Sequence, residues 1–295
     1  MRGHFEIGPM SVRVTDPFGL VELGRTFRTT VPLTVTPRTV LLPQIPLGGA
    51  WTGSGDNRPR AFATGSAEDV TVRDYRQGDD LRRVHWRSSA RLGELMVRRE
   101  EQPWQSRATL FLDNRTIAHR GQGIASSLEA AVSAAASIAV HLSHRGFAVR
   151  LVTATGEDPS SSWHVRSADL NTGPLLEALA VVQQTGQVSL DTGWLKEGSH
   201  GGLTVAVFGS VAPIDLPVLR RMQHQAGSAI GIALDVDAWI GAPAGAGATQ
   251  LLGQQGWRTA PLGPRDRLDA VWQELGRSSS QTSRAVGRPA PQVLT

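Results

Sequence analysis

The chain has no cysteine, one tyrosine (Tyr75), one lysine (Lys196) and only 5% aromatic residues among its 295 positions. Without cysteine there are no disulfide staples, thiolate metal sites, redox pairs or cysteine nucleophiles. The same absence fits a reducing compartment and an Arg/Ala/Gly-rich composition bias equally well. No run of 18 apolar residues occurs: the nearest, 124–142, carries Glu129, His141 and four serines, so the chain as given reads as soluble and cytoplasmic. Arg2-Gly3-His4-Phe5 after Met1 offers neither the apolar core nor the cleavage site of a secretory signal. An excess of one charge sign is missing too. The 30 Lys+Arg against 26 Asp+Glu leave +4, too little for a dedicated DNA binder, and the pI near 10.7 reports how hard guanidinium is to deprotonate.

What is present is length enough for about two domains and two textures. From Phe5 to Leu42, short apolar alternations such as Ser11–Thr15 and Val31–Thr36 are punctuated by Gly and Pro, which predicts antiparallel strands. Asp16-Pro17-Phe18-Gly19 is a turn between two of them, since Pro presets φ and Gly tolerates the left-handed region. Residues 48–65 read as a polar surface loop. From Arg107 onward, apolar runs at 109–112, 148–152, 203–208, 229–234 and 257–260 alternate with helical patterns at 126–146, 174–182, 215–225, around Leu251, and 265–275. Ser126-Ser127-Leu128-Glu129 reads as a capping box. Strands without strict alternation, separated by helices, predict a mostly parallel sheet covered on both faces. The expected fold class is therefore a two-part α+β chain. An antiparallel β region (1–103, with a signature segment at 70–99) precedes a doubly wound, Rossmann-like α/β domain (104–276), and 277–295 follow as a disordered tail.

Nine arginines fall between Arg73 and Arg107, interleaved with six carboxylates. Within that stretch, Arg73-Asp74-Tyr75-Arg76-Gln77-Gly78-Asp79-Asp80-Leu81-Arg82-Arg83-Val84-His85-Trp86-Arg87-Ser88-Ser89-Ala90-Arg91 has two readings. One is an Arg/Asp network with Tyr75 and Trp86 packed in a seam between the two parts. The other is a docking or anion-binding surface with Arg and Trp as anchors. His85 beside Trp86 has no serine or cysteine nucleophile placed to use it, so the segment does not read as catalytic.

The string resembles the signature of the bacterial family catalogued as domain of unknown function 58, on Arg73, Tyr75, Gly78, Asp79, Arg82, His85, Trp86, Ser89 and Arg91. Asp16–Leu20 upstream and Gly256-Trp257 and Trp272 downstream extend the likeness. The resemblance implies a von Willebrand factor A-like domain and a non-enzymatic adaptor that partners a MoxR-type AAA+ ATPase. It also implies membrane anchoring in a longer form, because such proteins carry transmembrane helices ahead of the β region. That domain type often binds Mg²⁺ through Asp-x-Ser-x-Ser after its first strand. Here the run is Asp113-Asn114-Arg115-Thr116-Ile117, with Arg115 and Ile117 in the serine places and a cation where a divalent ion would be repelled. The expectation is a degenerate site at Asp113, no metal and no cofactor, with a salt bridge to Arg115 as one account of that carboxylate. Two other functions stay open: a divalent-metal-dependent protein-binding module, and a basic-patch binder of nucleic acid or anions, although no nucleic-acid partner is expected. Gly121-x-Gly123 lacks the rest of a phosphate loop.

Overall fold

The alternation of apolar residues near the N-terminus produces strands, as the pattern predicts. The computed structural model describes residues 1–47, 72–74, 86–98, 106–156, 172–196, 202–243, 245 and 247–286. Two compact units divide the chain, Met1–Trp51 with Ser106–Thr295 in one and Thr52–Gln105 in the other.

In the first unit, β1 (Gly3–Ile7) pairs antiparallel with β4 (Val31–Val35), and β2 (Met10–Thr15) with β3 (Glu22–Phe27). The next stretch runs into the α/β core. Ile45 and Leu47 are buried there, and four hydrogen bonds hold the strap. Val40 N–H donates to Ser137 Oγ (3.0 Å), Arg145 to the Ile45 carbonyl (2.8 Å), Ser228 to that of Leu47 (2.8 Å) and Arg258 to that of Pro46 (2.9 Å). The sequence places these residues in the N-terminal β region, yet contact groups them with the α/β part. Arg2 adds a second tie, reaching the carboxylate of Glu129 and the carbonyls of Leu179 and Val182.

Five parallel strands form the sheet: β7 (Ser106–Leu112), β8 (Phe147–Thr153), β9 (Leu203–Phe208), β10 (Ser228–Leu234) and β11 (Arg258–Leu262), in the order β8-β7-β9-β10-β11. Both faces are covered, so alternate residues of one strand bury in opposite directions. Leu110, Val205 and Ile232 join one core with α2 (Ser127–His144), α3 (Gly173–Val181) and α6 (Leu268–Val286). Phe111, Phe208 and Ala233 join another with α4 (Leu216–Gln225) and α5 (Gly247–Gln254). The α/β expectation thus holds as a parallel sheet flanked by helices, and the chain also forms small antiparallel sheets.

Only half of the expected capping box forms. Ser126 Oγ accepts the Glu129 N–H at 3.3 Å, but the Glu129 carboxylate turns to Arg2 and the Ser126 N–H donates to the Gly123 carbonyl instead. Helix α6 runs to Val286, past Gly276, where the sequence predicts a disordered tail. Among the described residues, no helix is long and apolar enough to cross a membrane.

Candidate functional site

The signature segment lies in the second unit. Its β5 (Val72–Asp74) pairs antiparallel with β6 (Met96–Arg98), and Arg73 sits opposite Val97 in that ladder. Between them, α1 (Trp86–Leu92) buries none of its residues. Ser89 has a structural use: its Oγ accepts the Met96 N–H at 2.8 Å, pinning β6 to the helix. Gly93 makes the reversal possible, with φ +76° and its N–H on the Ser89 carbonyl, a conformation that costs glycine nothing. Trp86 is 69% exposed, Leu92 and Leu95 are exposed, and so is Arg91. Within its own unit, this short helix gives Trp86 no buried face. Tyr75, Gly78, Asp79, Arg82 and His85 lie outside the described residues.

A second constellation sits at the carboxyl ends of β7 and β9. The sheet order is of the 2-1-3-4-5 type, and its switch point falls between its first and third strands, where open α/β sheets form their ligand crevice. The turn after β7 occupies this place. Asp113 N–H donates to the Val207 carbonyl of β9, and Asn114 and Thr116 exchange backbone bonds with Thr185. The Asn114 side chain bridges Ala154 and Gln183.

Arg115 points into the crevice and is 1% exposed. All five of its guanidinium N–H groups have acceptors. Nε and one terminal nitrogen donate to Asp113 at 3.0 and 2.9 Å; the terminal nitrogens donate to Asp215 at 2.7 and 3.1 Å; the fifth bond reaches the Val188 carbonyl at 2.9 Å. Asp113 also accepts the Arg115 N–H (3.1 Å) and Asp215 that of Ala212 (3.1 Å). Burial alone would pull the Arg115 pKa down. The hydrogen bonds and charges of Asp113 and Asp215 outweigh it, so the guanidinium is held more firmly protonated than usual.

Beside this cluster, His119 Nε2 donates to the Asp113 carbonyl at 2.6 Å. Its Nδ1 then accepts from Ser127 Oγ at 3.0 Å, while Ser127 Oγ accepts the Arg120 N–H at 2.9 Å. Burial pushes the His119 pKa below its ordinary value, Arg115 and Arg120 push the same way, and the Asp113 carbonyl and charge oppose it only in part. The ring is thus a neutral strut under the Asp113 turn. Gly209 completes the packing at this end of the sheet. A Cβ there would collide with the Ala118 carbonyl, which accepts the Ser210 N–H at 2.8 Å.

The residues present do not fit a divalent ion. Both oxygens of Asp113 are committed to a guanidinium that also holds Asp215, and a second cation there would be repelled at close range. Among the described residues, no group of three or more His, Asp or Glu stands ready to hold a metal. The salt bridge from Asp113 to Arg115 is as the sequence suggests. Asp215 and His119 are additions, since the sequence pattern places Asp215 only at a helix start. The available signal was the arginine itself, which as a buried cation needs more than one carboxylate.

The sequence model of the family described as "Protein of unknown function DUF58" matches residues 71–162. The chain resembles the DUF58 family. The matched stretch carries the signature helix, β7, the Asp113–Arg115 turn, α2 and β8. No curated protein matches the chain. Among solved structures, a mutant of the PilB minor pilin from Streptococcus sanguinis aligns at 12% identity and a TM-score of 0.34, covering 66% of this chain and 66% of that one. A score that low does not bear on this chain's fold.

Proposed function

We propose that this protein is a non-enzymatic interaction module. Its signature segment docks a partner, and the partner is a MoxR-type AAA+ ATPase, as the family resemblance implies. The observation that carries the reading is Trp86, 69% exposed on a helix that buries nothing, with Arg87 and Arg91 on the same short element. Tryptophan and arginine are the residue types that most often anchor protein interfaces. The crevice of the sheet supports the same reading from the other side. Its charged groups are engaged with one another, Ser127 and His119 are buried, and among the described residues nothing there is poised as an exposed nucleophile and base. The parallel sheet with its Asp113–Ile117 turn is read as a von Willebrand factor A-like domain whose cation is supplied by Arg115. The metal-dependent alternative has the Arg115 geometry against it.

The test uses the full chain and a purified MoxR-type ATPase in a pull-down. Wild type should be retained, and Trp86→Ala and Arg91→Glu should each weaken retention by about tenfold or more while leaving the thermal melt unchanged. Retention unaffected by both variants would overturn docking through this helix.

A further inference from the structure

The strap meets α2 at regular intervals. Ser137, His141 and Arg145 stand four residues apart on the helix and so share one face of it, and the strap runs along that face. Ser137 Oγ donates to the Ser133 carbonyl at 2.7 Å, which leaves it to accept the Val40 N–H. The Leu42 carbonyl faces the His141 ring, and Arg145 holds the Ile45 carbonyl. His141 is 9% exposed, and its ring meets that of the fully buried Trp272 of α6 at 76°, with centroids 5.6 Å apart.

These surroundings suit a neutral ring. His141 Nε2 and Trp272 Nε1 are buried and have no hydrogen-bond partner among the described residues. With the Leu42 carbonyl taking the ring's one N–H, a second proton would sit on Nε2 without an acceptor, and a buried charge left unpaired is costly. From α2, Arg145 and His144 both act against the protonated ring, as burial does, and the Leu42 carbonyl is the one opposing group. Residues 40–47 of the strap carry no charge, and Arg38 ahead of them is exposed. On α6, Asp269 is paired with Arg267, and Glu274 and Arg277 are exposed. Among the described residues, no carboxylate acts on the ring to offset a positive charge there.

We propose that residues 40–44 form a pH-gated flap: closure requires a neutral His141, and protonation of the ring lifts the flap from α2 while Ile45 and Leu47 stay seated. The two halves of the strap part because they are held differently. Ile45 and Leu47 are buried in the core and tied through their carbonyls to Arg145 and Ser228, and apolar burial does not titrate. Leu41 is 87% exposed, and Val40 and Leu42 are only half-buried, so lifting this half uncovers little apolar surface and brings water to the imidazolium. The direction follows from linkage. The ring holds a proton less firmly with the flap closed than with it open, so the flap stays shut above the ordinary 6.5. Below that, the open-to-closed ratio grows by up to about tenfold per pH unit. The flap is independent of partner docking through α1.

A nitroxide attached through Leu41→Cys reads the flap, and because the chain has no cysteine of its own the label lands at that position alone. In the full chain, the mobile component of the electron paramagnetic resonance spectrum should grow as pH falls from about 7 to about 5, with near-UV circular dichroism unchanged. His119→Gln should leave that growth intact. His141→Gln, whose amide does not titrate, should abolish it, and His141→Asn repeats the test on a second background. A label as immobile at the acid end as at neutral pH would overturn the proposal. So would growth that survives in both His141 variants, or growth that comes only with loss of the near-UV signal.

Discussion

Arg115 is a single residue on which three separate stretches of chain converge: its own turn, the carbonyl of Val188 and Asp215 at the start of α4. Removing the guanidinium leaves two buried carboxylates without a counter-charge, which costs far more than the pair contributes when intact. Arg115→Met should lower unfolding stability by about 3–5 kcal/mol, measured by urea titration. Arg115→Lys should recover little of that, since an ammonium cannot make two parallel bonds to each carboxylate. His119 gives a pH test at the same scale. Burial holds its folded pKa below the ordinary 6.5, so the unfolded chain takes up a proton first as pH falls. Stability is then complete above about pH 6.5 and declines below it toward the folded value. His141, lowered by burial and by Arg145, adds in the same direction. Urea midpoints should drop between about pH 7 and pH 5, and drop less in His119→Gln.

At the scale of elements, α2 shows what a local rule can carry. Ser126 caps the helix, and Ser126→Ala should cost about 1 kcal/mol in the same titration. Glu129→Gln should act through Arg2 instead, because the carboxylate that the local rule assigns to the helix start is claimed by the N-terminus of the chain. This difference marks the limit of what the sequence reveals. Strands β7 to β11 and the helices between them are legible because burial on both faces leaves unbroken apolar runs, and helical faces repeat at three and four. The Asp16 turn is legible because its hydrogen bonds span five residues or fewer. Asp215 is not legible as a partner of Arg115, because the pair is separated by one hundred positions and no local pattern encodes it. The exposure of Trp86 is illegible for a related reason: composition predicts that tryptophan buries, and only the shortness and surroundings of α1 decide that it does not.

For the whole molecule, the strap from Val40 to Leu47 makes the α/β core depend on residues that precede it by some sixty positions. Ile45 lies so close to Gly276 on α6 that a Cβ there would stand 2.7 Å from its side chain. A fragment beginning at Ser106 would lose this cover and the acceptors of Arg145, Ser228 and Arg258. It should bind 1-anilinonaphthalene-8-sulfonate and melt well below the full chain, whereas a nick between Trp51 and Ser106 should leave the melt of the first unit nearly unchanged, read by calorimetry.

The cation at the mouth of the sheet is also joined to the chain by peptide bonds. It therefore has no dissociation constant and no off-rate, and no chelator can extract it. Where a diffusible ion would let its concentration in the surroundings set the shape of the crevice, here that shape is decided once, when the chain folds.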